Sequence, residues 1–341
     1  MVDNRMNNPE SIPQVPPVPV EASAPAPMPA EAFVPTSCPL CGGRQRRLLF
    51  HKKAHFYHQD LAHEHLFAIV RCRRCGVDYV HPRLRSDLLA HHYAQHDLYV
   101  DLRGRQLEER RAYFGETLDS VEKIWRQQTS RAPGGALLDV ACSEGTFVAL
   151  AGERGWQARG IEISEASAQH GREVLGLPVT QGTLQQAAFP DGSFQVVTIQ
   201  SFLEHSEDPL ALLREAHRVL APGGLLYMNV CNGRSLAARL QKARWYNYDP
   251  VVHLTYFGPA TLRRLAREAG LEVVRSSSRG VGARFFQTSV AETRATRNLD
   301  EWYRRQGYGN GAVKLAKRSI SSLLSAAGLG QTLIVVARRP G

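Results

Sequence analysis

The chain has 341 residues, 43% of them hydrophobic, and a formal net charge of +10. That length accommodates one large domain and a small one, and no apolar run is long enough to span a bilayer as a helix. Asp3, Glu10, Glu21 and Glu31 outweigh Arg5 in the first 36 residues, which leaves +13 on the remainder and points to anionic partners: phosphorylated or nucleotide-linked small molecules, nucleic acid, or a membrane surface.

Residues 1–36 hold nine of the 19 prolines, the composition of an extended, disordered tail. No basic start followed by an apolar stretch appears there, so the expected location is cytoplasmic. Four of the six cysteines then form two Cys-x-x-Cys pairs, Cys38/Cys41 and Cys72/Cys75, each followed by a glycine. Paired knuckles of this kind predict a ribbon-type zinc site with four cysteine ligands over residues 37–82, with a strand hairpin filling the gap between them. Phe67–Val70 reads as the strand entering the second knuckle and Val77–Val80 as the one leaving it. His51, His55, His58, His63 and His65 fall inside the module without the spacing of a ligand set, so they are read as surface histidines. A helical lead-in over 83–132 includes a polar helix from about 103 to 127.

From residue 133 apolar strands alternate with helical patterns, which predicts a parallel sheet with right-handed crossovers. Strands are expected at 136–141, 157–163, 178–181, 194–200, 224–231, 271–277 and 332–337. Helices are expected from 145, at 165–175, at 208–220 and at 261–270. Residues 278–330 are too long for a tight connection. Their stripe of Val313, Ala316, Ile320, Leu323 and Ala327 reads as a core-packing helix, and the insertion as a whole competes as a substrate cap.

The most informative stretch is Leu137–Phe147, where an apolar strand delivers Asp139 into a small-residue loop that opens a helix at Gly145. Such a loop lets backbone approach a nucleotide-like ligand. Glu162, ending the next apolar run 17 positions after Gly145, stands where a carboxylate can take both hydroxyls of a ribose. A nicotinamide dehydrogenase is the competing reading, but it needs its glycines more strictly.

On Asp139-Val140-Ala141-Cys142-Ser143-Glu144-Gly145 the chain resembles the class I S-adenosylmethionine-dependent methyltransferases, whose first motif is roughly D-x-G-x-G-x-G. Ala141 and Ser143 replace two glycines, keeping side chains small while giving up the freedom to adopt positive φ. The segment from Cys72 to Tyr99 resembles the lead-in of a bacterial group with a zinc ribbon before the catalytic domain. The resemblance implies a Rossmann-like α/β sheet of order 3-2-1-4-5-7-6 over residues 133–341. It implies that Asp139, Ala141, Ser143 and Gly145 line the methionine end of the cofactor and that Glu162 takes the ribose. Thr183 and Leu184 fall where the family faces the adenine, with Thr183 in place of an aspartate. Gln200 ends the fourth strand, and Glu204-His205 matches the family's L-E-H element. His253-Leu254-Thr255-Tyr256-Phe257 matches its H-x-x-Y-F element.

His205 and His253 are therefore the candidate bases or substrate orienters. Tyr256 is a candidate pocket wall, Glu204 a brace, and Trp245 to Asp249 either a stacking surface or ordinary packing. Cys142 and Cys231 lack an activating partner and read as packing residues. The implied cofactors are S-adenosylmethionine and structural Zn²⁺. The expected function is methyl transfer to oxygen or nitrogen of a small molecule such as a sugar, glycan precursor or secondary metabolite. The alternatives are an RNA methyltransferase using the ribbon, disfavoured by the lack of an N-P-P-[YF] element for a flipped base, and a non-catalytic binding module.

Overall fold

A computed structural model describes residues 29–58, 61–95, 107–280 and 322–341. Most of the tail and of the insertion, including Val313, Ala316 and Ile320, lies outside the described residues. Among the described residues the first strand is the two-residue β1 (Phe33–Val34), followed by a long hairpin, β2 (Arg46–His58) and β3 (Leu61–Cys72). Then come β4 (Asp78–Val80), β5 (Arg83–Leu84), α1 (Ser86–Gln95) and α2 (Leu107–Thr129). The expected hairpin thus fills the gap between the cysteine pairs, and its strands run longer than apolar content alone suggested. His63 is buried and His65 stacks on Phe33 at 4.0 Å, so these two are not surface histidines. His63 faces the small ribbon core, and His65 is half-buried beside it.

The sheet elements follow as β6 (Gly135–Val140), α3 (Thr146–Glu153), β7 (Trp156–Glu162), α4 (Glu165–Gln169), β8 (Val179–Gln181), β9 (Phe194–Gln200), α5 (Pro209–Val219) and β10 (Leu220–Cys231). The last part contains α6 (Leu236–Gln241), β11 (Thr255–Tyr256), α7 (Pro259–Glu268), β12 (Glu272–Arg279) and β13 (Thr332–Arg338). Helix α4 continues for one π-helical turn over His170–Val174, so the expected helix is present but changes its pitch. Ser164 and Asp208 cap α4 and α5 by accepting from Ser167 and Ala211 N–H, which satisfies donors that have no partner inside a helix. Strand β10 starts earlier than expected because Leu220 pairs with Phe194 before a register shift that absorbs Pro222-Gly223-Gly224.

These strands form one seven-stranded sheet of order β12-β13-β10-β9-β6-β7-β8, the order that the resemblance implied. Only β13 runs antiparallel, to both β10 and β12. One face buries Leu137, Val196, Leu225 and Tyr227 under Leu118, Val121 and Trp125 of α2 and Phe147 of α3. The opposite face buries Leu138, Val197 and Leu226 against α5 and α7, and that core runs on without a break into Cys38, Leu40, Cys72 and Tyr79 of the ribbon. Strand β11 leaves the large sheet altogether. It pairs antiparallel with β4, Thr255 opposite Tyr79, and so adds a fourth strand to the ribbon sheet. Among the described residues no helix is long and apolar enough to cross a membrane.

Candidate active site

The loop after β6 is built by backbone conformation as much as by side chains. Gly145 caps α3 at φ 93°, and Ala141 and Ser143 also sit in the left-handed region, at φ 59° and 53°. The sequence reading had these two substitutions giving up positive φ. They adopt it instead, at a cost of about 1–2 kcal/mol each, which the loop's other contacts offset. Ser143 N–H donates to Glu162 Oε2 at 2.9 Å, and its hydroxyl donates to Glu144 Oε2 at 2.7 Å. Ala141→Gly is therefore expected to raise unfolding stability by about 0.5–1 kcal/mol after the added backbone entropy is counted. Ser143→Gly should gain less because the Glu144 bond is lost. Urea titration checks both, and a destabilised Ala141→Gly protein would show that the left-handed loop carries no strain.

Glu162 ends β7 with each oxygen engaged: Oε2 with Ser143 N–H and Oε1 with Ser164 N–H at 2.8 Å. A carboxylate oxygen has two lone pairs, so an oxygen that accepts one backbone N–H can also accept from a ligand hydroxyl. Asp139 is 3% exposed and accepts from Thr198 Oγ1 at 2.5 Å and Gln200 Nε2 at 3.3 Å. Burial pushes its carboxyl up to about 7, against the opposing pull of those two donors. Gln200 ends β9, as expected, and its amide lies beside Asp139.

Glu144 is a residue that the sequence reading missed. It accepts from Thr146 Oγ1 at 2.6 Å and pairs with Arg110 of α2 at 2.6 Å. Burial opposes its ionisation, yet the Thr146 and Ser143 hydroxyls and Arg110 hold it below the usual carboxylate range. The available signal was an acid directly before the helix-opening glycine, but its partner lies 34 positions earlier and leaves no local pattern.

On the adenine side the loop after β8 closes on itself. Thr183 N–H donates to Gln186 Oε1 at 2.9 Å, and Thr183 Oγ1 accepts from Gln186 N–H in return. Leu184 is 2% exposed, and its side chain packs in the core. Gln195 Oε1 accepts from Ala136 N–H at 2.6 Å and ties β9 to the start of β6.

The two candidate bases come together at the carboxyl ends of β9 and β10. The rings of His205 and His253 meet edge to face, centroids 4.6 Å apart at 81°. His253 Nδ1 lies 2.7 Å from Asn247 O; a carbonyl only accepts, so Nδ1 carries the proton and Nε2 is left as the acceptor of the neutral ring. Burial first, and His253 second, push His205 well below its ordinary range, while a bond to the Val252 backbone pulls it back. Glu204 braces this corner as expected, Oε1 accepting from Cys231 N–H at 3.0 Å and its backbone carbonyl from Leu254 N–H at 2.8 Å. Glu204, His205 and His253 offer three ligand atoms within 4.8 Å of one another. Tyr256, expected as a pocket wall, is instead 1% exposed and packs edge-on to Tyr248 at 4.7 Å in the ribbon-side core, where Trp245 is fully buried. Cys142 and Cys231 are buried, and desolvation pushes both thiols well above their ordinary range. They pack, as read from sequence.

The four ribbon cysteines converge, with Cys38 and Cys75 Sγ 3.4 Å apart, Cys41 and Cys72 Sγ 3.6 Å apart, and all four within 4.8 Å of one another. Thiolates around tetrahedral zinc stand about 3.8 Å apart, given a Zn–S bond of about 2.3 Å. The donor set therefore fits that ion.

A doubly wound sheet with a strained, small-residue loop at its carboxyl edge and a carboxylate ending the next strand defines an α/β protein of the nucleotide-cofactor-binding class. A methyltransferase-domain family model matches residues 105–276, half of the chain. The chain belongs to this family and is an S-adenosylmethionine-dependent methyltransferase. A ubiquinone biosynthesis O-methyltransferase of Pseudomonas aeruginosa is 29% identical over 166 residues, 44% of this chain and 69% of that protein. One of Methylococcus capsulatus is 31% identical over 185 residues, 49% and 76% of the two chains. A solved SAM-dependent methyltransferase of Thermotoga maritima, described as a possible histamine N-methyltransferase, is 18% identical with a TM-score of 0.43, covering 67% of this chain and 99% of its own.

Proposed function

We propose that the chain methylates an oxygen or nitrogen of a small-molecule acceptor, with residues 37–82 acting as a structural zinc ribbon. The carrying observation is the fixed tautomer of His253, whose Nε2 is held as a proton acceptor at the sheet's ligand edge. The relatives' printed name, an O-methyltransferase of ubiquinone biosynthesis, supports the same class of acceptor.

When bound, S-adenosylmethionine supplies an electrophilic methyl group on a sulfonium. The loop at Ala141–Gly145, with Asp139, would hold the methionine end, and Glu162 the ribose. His253 Nε2 takes the proton of the acceptor hydroxyl or amine, and His205 holds the His253 ring edge-on. Positioning of the acceptor in line supplies most of the remaining acceleration. Cys38, Cys41, Cys72 and Cys75 would hold the zinc, which would serve as a brace for the fold. Exposed Arg44, Arg47, Arg73 and Arg74 around the knuckles favour RNA as the second reading.

Methyl-labelled cofactor supplied with extract fractionated into small molecules, glycans, RNA and protein tests the choice. Label is expected among the small molecules or glycans, and label in RNA with a steep salt dependence reverses the order. His253→Ala should lower turnover by about 10²- to 10⁴-fold while S-adenosylhomocysteine still binds. Unchanged turnover removes the base assignment.

A further inference from the structure

Five buried polar atoms that lack hydrogen-bond partners among the described residues belong to side chains gathered under α2, beside the cofactor loop: Thr117 Oγ1, Gln200 Oε1, Tyr227 OH, Asn229 Nδ2 and Arg279 Nη2. Thr117 and Asn229 are fully buried and Tyr227 is 1% exposed. Sheet register brings them together. Asp139 stands opposite Thr198 and Thr198 opposite Tyr227, while one step further toward the ligand edge Gln200 stands opposite Asn229. This polar row therefore continues from the carboxyl at the cofactor loop toward β12. There Arg279 lies with its guanidinium 5.1 Å from the Tyr113 ring centroid, an arrangement that orients a cation without neutralising it. Burial raises the Tyr227 phenol, while the charge of Arg279 and the polar side chains of Asn229 and Thr117 beside it act in the opposite direction.

Buried groups of this kind are ordinarily paired, because each one left open costs stability. Here the open set is four groups able to donate (two hydroxyls, an amide and a guanidinium) and one acceptor, Gln200 Oε1, which is nearest Asp139. Asn229 Oδ1 is already committed to the N–H and hydroxyl of Ser201, so its free valence is a donor too. The four donors are complementary to an oxygen-rich anion.

We propose that Arg279, Tyr227, Asn229 and Thr117 form the acceptor subsite and bind an anionic oxygen group, a carboxylate or a phosphate. The subsite rests on the small-molecule reading above. It narrows that reading to acidic acceptors and accounts for a guanidinium that has no carboxylate partner among the described residues.

The full-length protein, S-adenosylmethionine labelled in its methyl group, and a small-molecule extract provide the test. After removal of unused cofactor on a cation exchanger, labelled product is expected to be retained by an anion exchanger at about pH 8, where carboxylates and phosphates are both ionised. Loss of that retention after phosphatase treatment assigns a phosphate, and resistance assigns a carboxylate. Arg279→Gln should raise the KM for the purified acceptor by about tenfold or more. Arg279→Lys should recover part of it, and Tyr227→Phe should raise KM several-fold, with S-adenosylhomocysteine affinity unchanged in all three. Labelled small molecules that pass through uncharged, or a wild-type KM in Arg279→Gln, overturn the subsite. Label found in RNA or protein overturns instead the small-molecule reading beneath it.

Discussion

Glu162→Ala is expected to weaken S-adenosylmethionine binding by about a hundredfold or more and to loosen the loop that follows β6. The carboxylate is the only described side chain that holds both Ser143 N–H and Ser164 N–H, one from each side of the sheet edge. Removing it leaves two buried-edge donors without their charged acceptor. Bonds of this type contribute about 1.5–3 kcal/mol each, and about 1.4 kcal/mol is tenfold in affinity. Loss of the ribose contacts alone then gives a hundredfold, and loss of loop order adds to it because Ser143 is held at φ 53° against its own preference. Glu162→Gln separates the two contributions. It keeps one acceptor for the loop but turns an amide toward the other N–H, so its effect should fall between wild type and alanine. Calorimetry with S-adenosylhomocysteine reads both. An alanine variant with wild-type affinity would remove Glu162 from the cofactor site.

Much of this arrangement was legible in the sequence, because it depends on local signals. Phe194–Gln200 shows as a strand with correct ends because its apolar run is bounded by Asp191-Gly192-Ser193 and by the polar Gln200-Ser201. The Leu137–Asp139 run, the helix at Gly145 and the acid at Glu162 obey the same logic. What escaped depends on tertiary context. Nothing local says that Ala141 and Ser143 will tolerate the left-handed region, since the stabilising contacts come from Glu144 and Glu162. The pairing of β11 with β4 joins residues more than 170 positions apart, so Tyr256 read as a pocket residue when it is a core residue of the ribbon. His63 and His65 looked like exposed polar positions, yet His63 is buried and His65 lies against Phe33 and Phe67. The acceptor subsite did leave a trace: Tyr227 and Asn229 are two polar-tipped residues on one face of an otherwise apolar strand. That trace gains meaning only when the register sets them beside Thr198 and Gln200.

Removing the metal from the proposed four-cysteine centre, by Cys72→Ser or by chelation, is expected to unfold the ribbon and to abolish turnover. Structural zinc in small modules supplies on the order of 10 kcal/mol, comparable with the whole stability of an ordinary domain, and the described ribbon has a small core of its own. The effect should not stop at residue 82. Cys38, Leu40, Cys72 and Tyr79 belong to the same core as Phe257, Leu262 and Leu213, so disorder in the knuckles exposes one side of α5 and α7. A second route is more specific. Val80 N–H donates to Leu254 O at 3.0 Å, and Leu254 N–H in turn donates to Glu204 O, so β4 holds the residue that follows His253 and the one that precedes His205. Losing β4 frees both imidazoles from the edge-to-face arrangement on which the proposed proton transfer relies. The cofactor loop between β6 and α3 lies on other strands and is held from α2 by Arg110. Metal-depleted protein should therefore retain measurable S-adenosylhomocysteine binding while turnover falls by more than about 10²-fold, the scale of losing a general base. Zinc content by elemental analysis, melting temperature, binding and turnover on the same sample give the answer. A purified protein without about one zinc per chain, or a Cys72→Ser variant with wild-type melting and turnover, would leave the four cysteines as packing residues and remove the link between ribbon and histidines.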